Sequence, residues 1–335
     1  KRKVLFRTRP SPSAGISMND PMANMTAWQK AKEVLRIAYT LPFFLASVAG
    51  VVFALTVRPE WLIAVIIPLD VLVLSLFVNF SNDYFDHKSG VDELRFNQDR
   101  DPELHKELLE LFDQKVFWSG NSLDRGIITE AQGKALMLVL VVLAVLLSIP
   151  ILLYGGWMVV ALGLIALALA FFYTAPPVNL GARGLGELDV FIAFSMMVFF
   201  SYFVIVQEFS LTVLFVSLAV GLGAMIMRIA DEAPGHPSHV EKGERNLVVR
   251  IGLNNLVRLE SYLVVLVYVF VGLAALTDPY FAILFLALPI AIKALRVQRK
   301  IDRLRFWRPI PMFLLQTITL ELLTVAALIL RTLTC

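Results

Sequence analysis

Long apolar runs, broken by short polar stretches, dominate the chain. A helix needs roughly 20 mostly apolar residues to cross about 30 Å of hydrocarbon. Nine segments meet that length, near residues 36–57, 61–82, 134–153, 157–173, 188–206, 211–229, 257–276, 280–296 and 312–330. The runs are continuous, whereas the strands of a membrane barrel alternate apolar and polar positions, so helices are expected throughout. The pattern predicts an all-α, polytopic membrane protein with nine transmembrane helices.

Composition narrows the class further. Hydrophobic side chains make up 58% of the chain and charged ones 17%, a balance too apolar for a water-soluble enzyme and too clustered for a disordered chain. The single cysteine, Cys335, excludes an internal disulfide and a cysteine-based metal site. Basic residues alternate between the loops. Lys30, Lys32 and Arg36, the second loop, the sixth loop (Lys242, Arg245, Arg250) and the eighth (Arg296, Arg299, Lys300, Arg303, Arg305, Arg308) share one side, and the other carries little beyond Arg58 and Arg331. The positive-inside rule then sets the N-terminus in the cytoplasm and the C-terminus outside. Residues 1–27 are expected to be a disordered extension or an appended remnant, since the apolar core of a signal peptide is missing. Residues 28–335 are expected to form one transmembrane domain with long cytoplasmic loops at about 83–133 and 230–255.

Connections between packed helices usually run to about 2–8 residues, so those two loops call for another explanation. At the end of the second span, Asn79, Asn82, Asp83 and Asp86 share one helical face. Two amides and two carboxylates stacked at a membrane boundary fit a cation of the Mg²⁺ or Ca²⁺ class, and they fit a capped, solvated helix end equally. The sixth loop carries a second acidic cluster, Asp231 and Glu232 with Glu241, beside Arg228, Lys242 and Arg245. Acids that hold a divalent ion next to bases that hold phosphate oxygens would suit a metal-diphosphate; a charged surface loop is the plainer alternative. In the fourth loop, the prolines and glycines of 173–187 account for a tight turn, but they leave Tyr173, Arg183 and Glu187 without a structural reason.

These motifs resemble a known family. Asn82-Asp83-Tyr84-Phe85-Asp86-His87-Lys88-Ser89-Gly90-Val91-Asp92 is similar to the first aspartate-rich motif of the UbiA superfamily of intramembrane prenyltransferases. Tyr173-Thr174-Ala175-Pro176-Pro177 with Arg183-Gly184-Leu185-Gly186-Glu187, and Gly243-Glu244-Arg245-Asn246 with the residues to Gly252, look most like its 1,4-dihydroxy-2-naphthoate polyprenyltransferase branch. The resemblance spans roughly residues 28–330. It implies nine helices around a central cavity, with two acidic motifs at its cytoplasmic mouth. It also implies Mg²⁺-dependent transfer of a polyprenyl group from its diphosphate to a small aromatic acceptor, in a prokaryotic plasma membrane and without a nucleic-acid partner. Carried over by position, Asn82 and Asp86, with Asp83 between them, match metal-diphosphate residues. The family's next acidic place falls on Gly90, and Asp92 would substitute for it. In the second motif the family's aspartates would fall on Gly235 and His239. An insertion around 233–238 would instead make Asp231 the first acid, with Glu232 or Glu241 completing the set. Lys88, Arg125, Arg183 and Arg228 are candidates for phosphate oxygens or are merely positive-inside residues. Tyr173 would face an allylic cation through its ring or anchor the helix at the interface.

Asp70, Asp189, Glu260, Lys293 and Glu321 interrupt the spans and would suit the ion path of a transporter. The halves show none of the internal correspondence a transporter requires, and Asp189, Glu260 and Lys293 are expected to reach the interface. Pro237 is expected to prevent a regular helix between His236 and His239. Residues 102–114 are expected to form an amphipathic helix near the cytoplasmic mouth.

Overall fold

The computed structural model describes residues 26–90, 102–111, 121–173, 177–181 and 183–334. Asp92 lies outside them. Among the described residues every regular element is helical: α1 (Ala27–Leu35), α2 (Ile37–Leu55), α3 (Trp61–Ser89), α4 (Pro102–Leu111), α5 (Glu130–Phe172), α6 (Gly186–Val206), α7 (Leu211–Glu232), α8 (His236–Lys242), α9 (Leu247–Ile251), α10 (Leu253–Thr277), α11 (Leu288–Gln298) and α12 (Pro309–Thr334), with 3₁₀ turns at Ala233–Gly235 and Pro279–Ala287. Among the described residues seven helical segments are long and apolar enough to cross a membrane, or eight when α1 and α2, bent by 67°, count as one span.

Local chemistry sets the breaks. Thr26 caps α1 in a reciprocal box with Gln29, and Thr129 caps α5 in the same way with Gln132, so the first N–H groups of both helices are satisfied. Arg36, in the left-handed region at φ 48°, turns the chain between α1 and α2. Within α5, Gly156 (φ 73°, ψ −167°) interrupts the helix, a conformation open to glycine and closed to residues with a Cβ. Contacts show that α5 reverses there. Glu130 meets Lys88 at one end of the bundle, Tyr154 donates to Ile205 O at the other (3.3 Å), and Tyr173 returns to lie under Arg228.

The core is built from α2, α6, α7, α10 and α12 with the 3₁₀ turn Pro279–Ala287, which bury Phe53, Phe194, Val220, Val267, Leu328 and Phe281 among others. Close packing here depends on missing side chains: a Cβ on Gly50 would lie 2.1 Å from Val198 O, and one on Gly221 would lie 2.0 Å from Ser195 Oγ. Small residues that let backbones approach are the usual device for joining helices in a membrane, where burial from water gives little drive. Much of α5 stays uncovered, with Leu143, Val145, Leu146 and Leu164 exposed, as lipid-facing positions should be.

Asp189 and Glu260 are buried within the bundle, at 6% and 0% exposure, and Lys293 is exposed. Two expectations need correction. Pro237 does not prevent a helix, because it sits in the first turn of α8, where its missing N–H is no loss. The eighth hydrophobic run is half 3₁₀, capped by Asp278, and only half α-helix.

Candidate active site

Helix polarity gathers the candidate residues at one end. Arg58, between α2 and α3, donates to Ile205 O at the C-terminal end of α6 (3.2 Å). The C-terminal end of α3 therefore lies with the N-terminal end of α6, to which the C-terminal end of α7 also returns. Two polar assemblies form there.

The first occupies the last turns of α3. Asn82 Nδ2 donates to Asp86 Oδ2 at 2.8 Å, one helical turn on. Asp83, one position round the helix, is buried and pairs with Arg36 at 2.8 Å. Asn121 donates to the Asp83 carbonyl at 2.6 Å and so ties the second loop to this turn. The helix runs on to Ser89 because its polar end is tethered: His87 Nδ1 lies 2.5 Å from Asp124 Oδ1, and Lys88 pairs with Glu130. Phe80, Tyr84 and Leu123 form an apolar patch beneath. Arg125, from the same loop, pairs with Glu33 of α1 at 3.0 Å. Asn79 Nδ2 is buried with no acceptor, a costly state for a donor and one that a ligand oxygen would relieve.

The second assembly centres on Arg228 of α7. Its guanidinium binds Asp231 at 3.1 Å and Glu232 one turn on, and lies 5.5 Å from the centre of the Tyr173 ring. Glu232, 5% exposed, also meets His239 Nε2 at 2.7 Å and Asn246 Nδ2 at 3.1 Å. His239 in turn holds Glu244 at 2.6 Å. Glu187, buried at the start of α6, has an unpartnered Oε2. Glu241, Lys242 and Arg245 are exposed on α8 and the turn after it. Arg183 is exposed and donates to Pro177 O at 2.8 Å, while Arg250 reaches the Arg183 carbonyl at 2.5 Å and joins the fourth loop to the sixth.

The structure thus brings Asn79, Asn82, Asp83, Asp86 and Lys88 together on one side and Tyr173, Arg228, Asp231 and Glu232 on the other. Sequence reasoning missed Arg36, Glu33, Asn121, His239 and Asn246 as partners. Two had a signal: Asn246 by its place in the Gly-Glu-Arg-Asn stretch, and His239 by standing where the family's second motif carries an aspartate. Among the described residues, no three His, Cys, Asp or Glu side chains converge as a ready metal cage. The donor chemistry still fits Mg²⁺, which characteristically takes one or two carboxylates and completes its shell with water and substrate phosphate.

The model of the UbiA prenyltransferase family matches residues 42–316. The chain belongs to the UbiA prenyltransferase family. Membership makes it a prenyltransferase. A solved structure of a UbiA homolog from Archaeoglobus fulgidus, bound to GPP and Mg²⁺, is similar over 89% of this chain and 99% of that one, with TM-score 0.59 and 14% identity. At that identity the likeness shows the fold. No curated protein matches in sequence.

Proposed function

We propose that this UbiA-family protein transfers a polyprenyl group from a polyprenyl diphosphate to an aromatic quinone-type precursor such as 1,4-dihydroxy-2-naphthoate, in the making of respiratory lipid quinones. The observation that carries the diphosphate half of this reading is that the oxygen-rich Asn79/Asn82/Asp86 face and the Arg228 cluster lie at the same end of the bundle. The homolog bound to GPP and Mg²⁺ supports the same half. The acceptor rests on the resemblance of the 82–92, 173–187 and 243–252 motifs to one branch.

In this reading Asn82 and Asp86 hold Mg²⁺, Asp92 takes the place of the family's next acid as the resemblance implies, and Asp231 and Glu232 serve the second motif. The ion, when bound, supplies positive charge to the diphosphate oxygens as negative charge develops on the leaving group. Asn79 donates its free N–H to a phosphate oxygen. Arg228 supplies fixed positive charge there, Lys88, Arg125, Arg183, Lys242 and Arg245 add to the basic field at the mouth, and the Tyr173 ring faces the allylic carbon. Asp83, held by Arg36, fixes the rotation of the turn that presents Asn82 and Asp86. Counting α1–α2 as one span and dividing α5 at Gly156 gives nine, with the site facing the cytoplasm and the C-terminus outside.

The test is turnover with a radiolabelled polyprenyl diphosphate and a panel of acceptors. Prenylated dihydroxynaphthoate that requires Mg²⁺ and Asp86 is the expected result. Product only with a glycerol-phosphate lipid, carotenoid precursor or tetrapyrrole would overturn the acceptor and keep the reaction.

A further inference from the structure

A cavity of about 420 Å³ opens between the start of α10 and the loop after α11. Three arginines line it: Arg258 from α10, and Arg299 and Arg305 from the loop. The positive-inside rule accounts for basic residues at this end, but it does not require them to converge. Neighbouring arginines of the loop are neutralised, Arg303 by Glu103 and Glu107 of α4 (3.7 and 4.0 Å) and Arg308 by Asp302. Arg258, Arg299 and Arg305 have no carboxylate partner among the described residues. Arg299 leans on Ser261 Oγ at 3.4 Å, and Arg305 stacks 4.5 Å above the Phe306 ring. Both contacts orient a guanidinium without satisfying its charge.

The floor of the cavity includes Gln298, 2% exposed. Its Nε2 donates to Glu260 Oε1 at 3.3 Å, and its own Oε1 is buried without a partner. The site therefore offers unpaired positive charge together with an unpaired acceptor. From the cavity rim an exposed stripe runs up α10: Tyr262 at 67%, Val265 at 63%, Leu266 at 40% and Val269 at 48%. That spacing is one helical face, and on a spanning helix it is a face for acyl chains. Basic pockets between spanning helices at this level are suited to phosphate headgroups.

We propose that this cavity is a binding site for an anionic phospholipid whose headgroup carries hydroxyls, of the glycerol class. The phosphate lies among Arg258, Arg299 and Arg305, a headgroup hydroxyl donates to Gln298 Oε1, and the acyl chains follow the Tyr262–Val269 face. None of these residues takes part in the transfer reaction proposed above, so the two assignments stand or fall separately.

Native mass spectrometry of the detergent-purified chain with phosphatidylglycerol, phosphatidylcholine, inorganic phosphate and pyrophosphate tests it. One phosphatidylglycerol per chain should be retained in preference to phosphatidylcholine. Each of Arg258→Gln, Arg299→Gln and Arg305→Gln should weaken that binding about fivefold, and the triple variant on the order of a hundredfold, at roughly 1 kcal/mol per basic residue. Lys293→Gln, an exposed charge outside the cavity, should keep the preference. Equal retention of the two lipids by the unaltered chain would overturn the proposal whether or not the variants fold. So would an undiminished preference in the triple variant, an equal loss in Lys293→Gln, or displacement of the lipid by phosphate or pyrophosphate, which would make this a site for a soluble anion.

Discussion

Arg228 is the residue on which the second assembly depends, since its guanidinium pairs with both Asp231 and the buried Glu232. Arg228→Ala leaves Glu232 without its arginine, a change that typically costs about 3–5 kcal/mol when one partner of a buried pair is removed. A thermal melt in detergent should fall accordingly, and Arg228→Lys should recover part of the loss. The acids of the first assembly separate in the same way. Asp83→Asn removes the Arg36–Asp83 ion pair and should lower the melting temperature, while activity per folded molecule falls modestly. Asp86→Asn should leave the melt nearly unchanged and reduce turnover by about 100-fold or more, the scale expected when an electrostatic contact to a developing charge is lost. Equal loss of turnover per folded molecule in both would mean that Asp83 is itself a ligand.

At the scale of elements, helix contacts turn on two glycines. Gly221→Val would drive its side chain into Ser195 and the Phe191 carbonyl. Overpacking of this kind costs roughly 1–3 kcal/mol, and it should appear as a lower melt with no change in the Mg²⁺ requirement; a variant as stable as the parent would contradict the close α6–α7 approach. Helix existence and position were largely legible, because a spanning helix needs a continuous apolar run and these runs are unambiguous. Helix ends were not. The run ends near Asn82, yet α3 continues to Ser89 because His87 and Lys88 are held by Asp124 and Glu130, partners that periodicity cannot see. The amphipathic stretch at 102–114 reads correctly as a helix through Leu111. The 3₁₀ half of the eighth run had no signal, since its composition matches that of an ordinary apolar helix.

Across the whole molecule, the sequence displays the chemistry but not its pairing. Asn82 and Asp86 are one turn apart, so their contact follows from helix geometry. Arg36 and Asp83 are 47 residues apart, and only the folded bundle brings them together. The same limit applies to Arg228 and Tyr173, which meet because α5 reverses at Gly156. Orientation gives a prediction at this scale. Cys335, the single cysteine, should react with a membrane-impermeant maleimide applied to the outside of intact cells; labelling only after permeabilisation would invert the topology. The central claim is that the Asn82–Asp86 turn and the Arg228 cluster together bind a prenyl diphosphate, and equilibrium binding of a radiolabelled polyprenyl diphosphate, with and without Mg²⁺, to the parent chain and to Asp86→Asn tests it most directly. The account predicts binding that depends on Mg²⁺ in the parent and is lost in Asp86→Asn at unchanged stability. Binding of equal strength in all four conditions would contradict it.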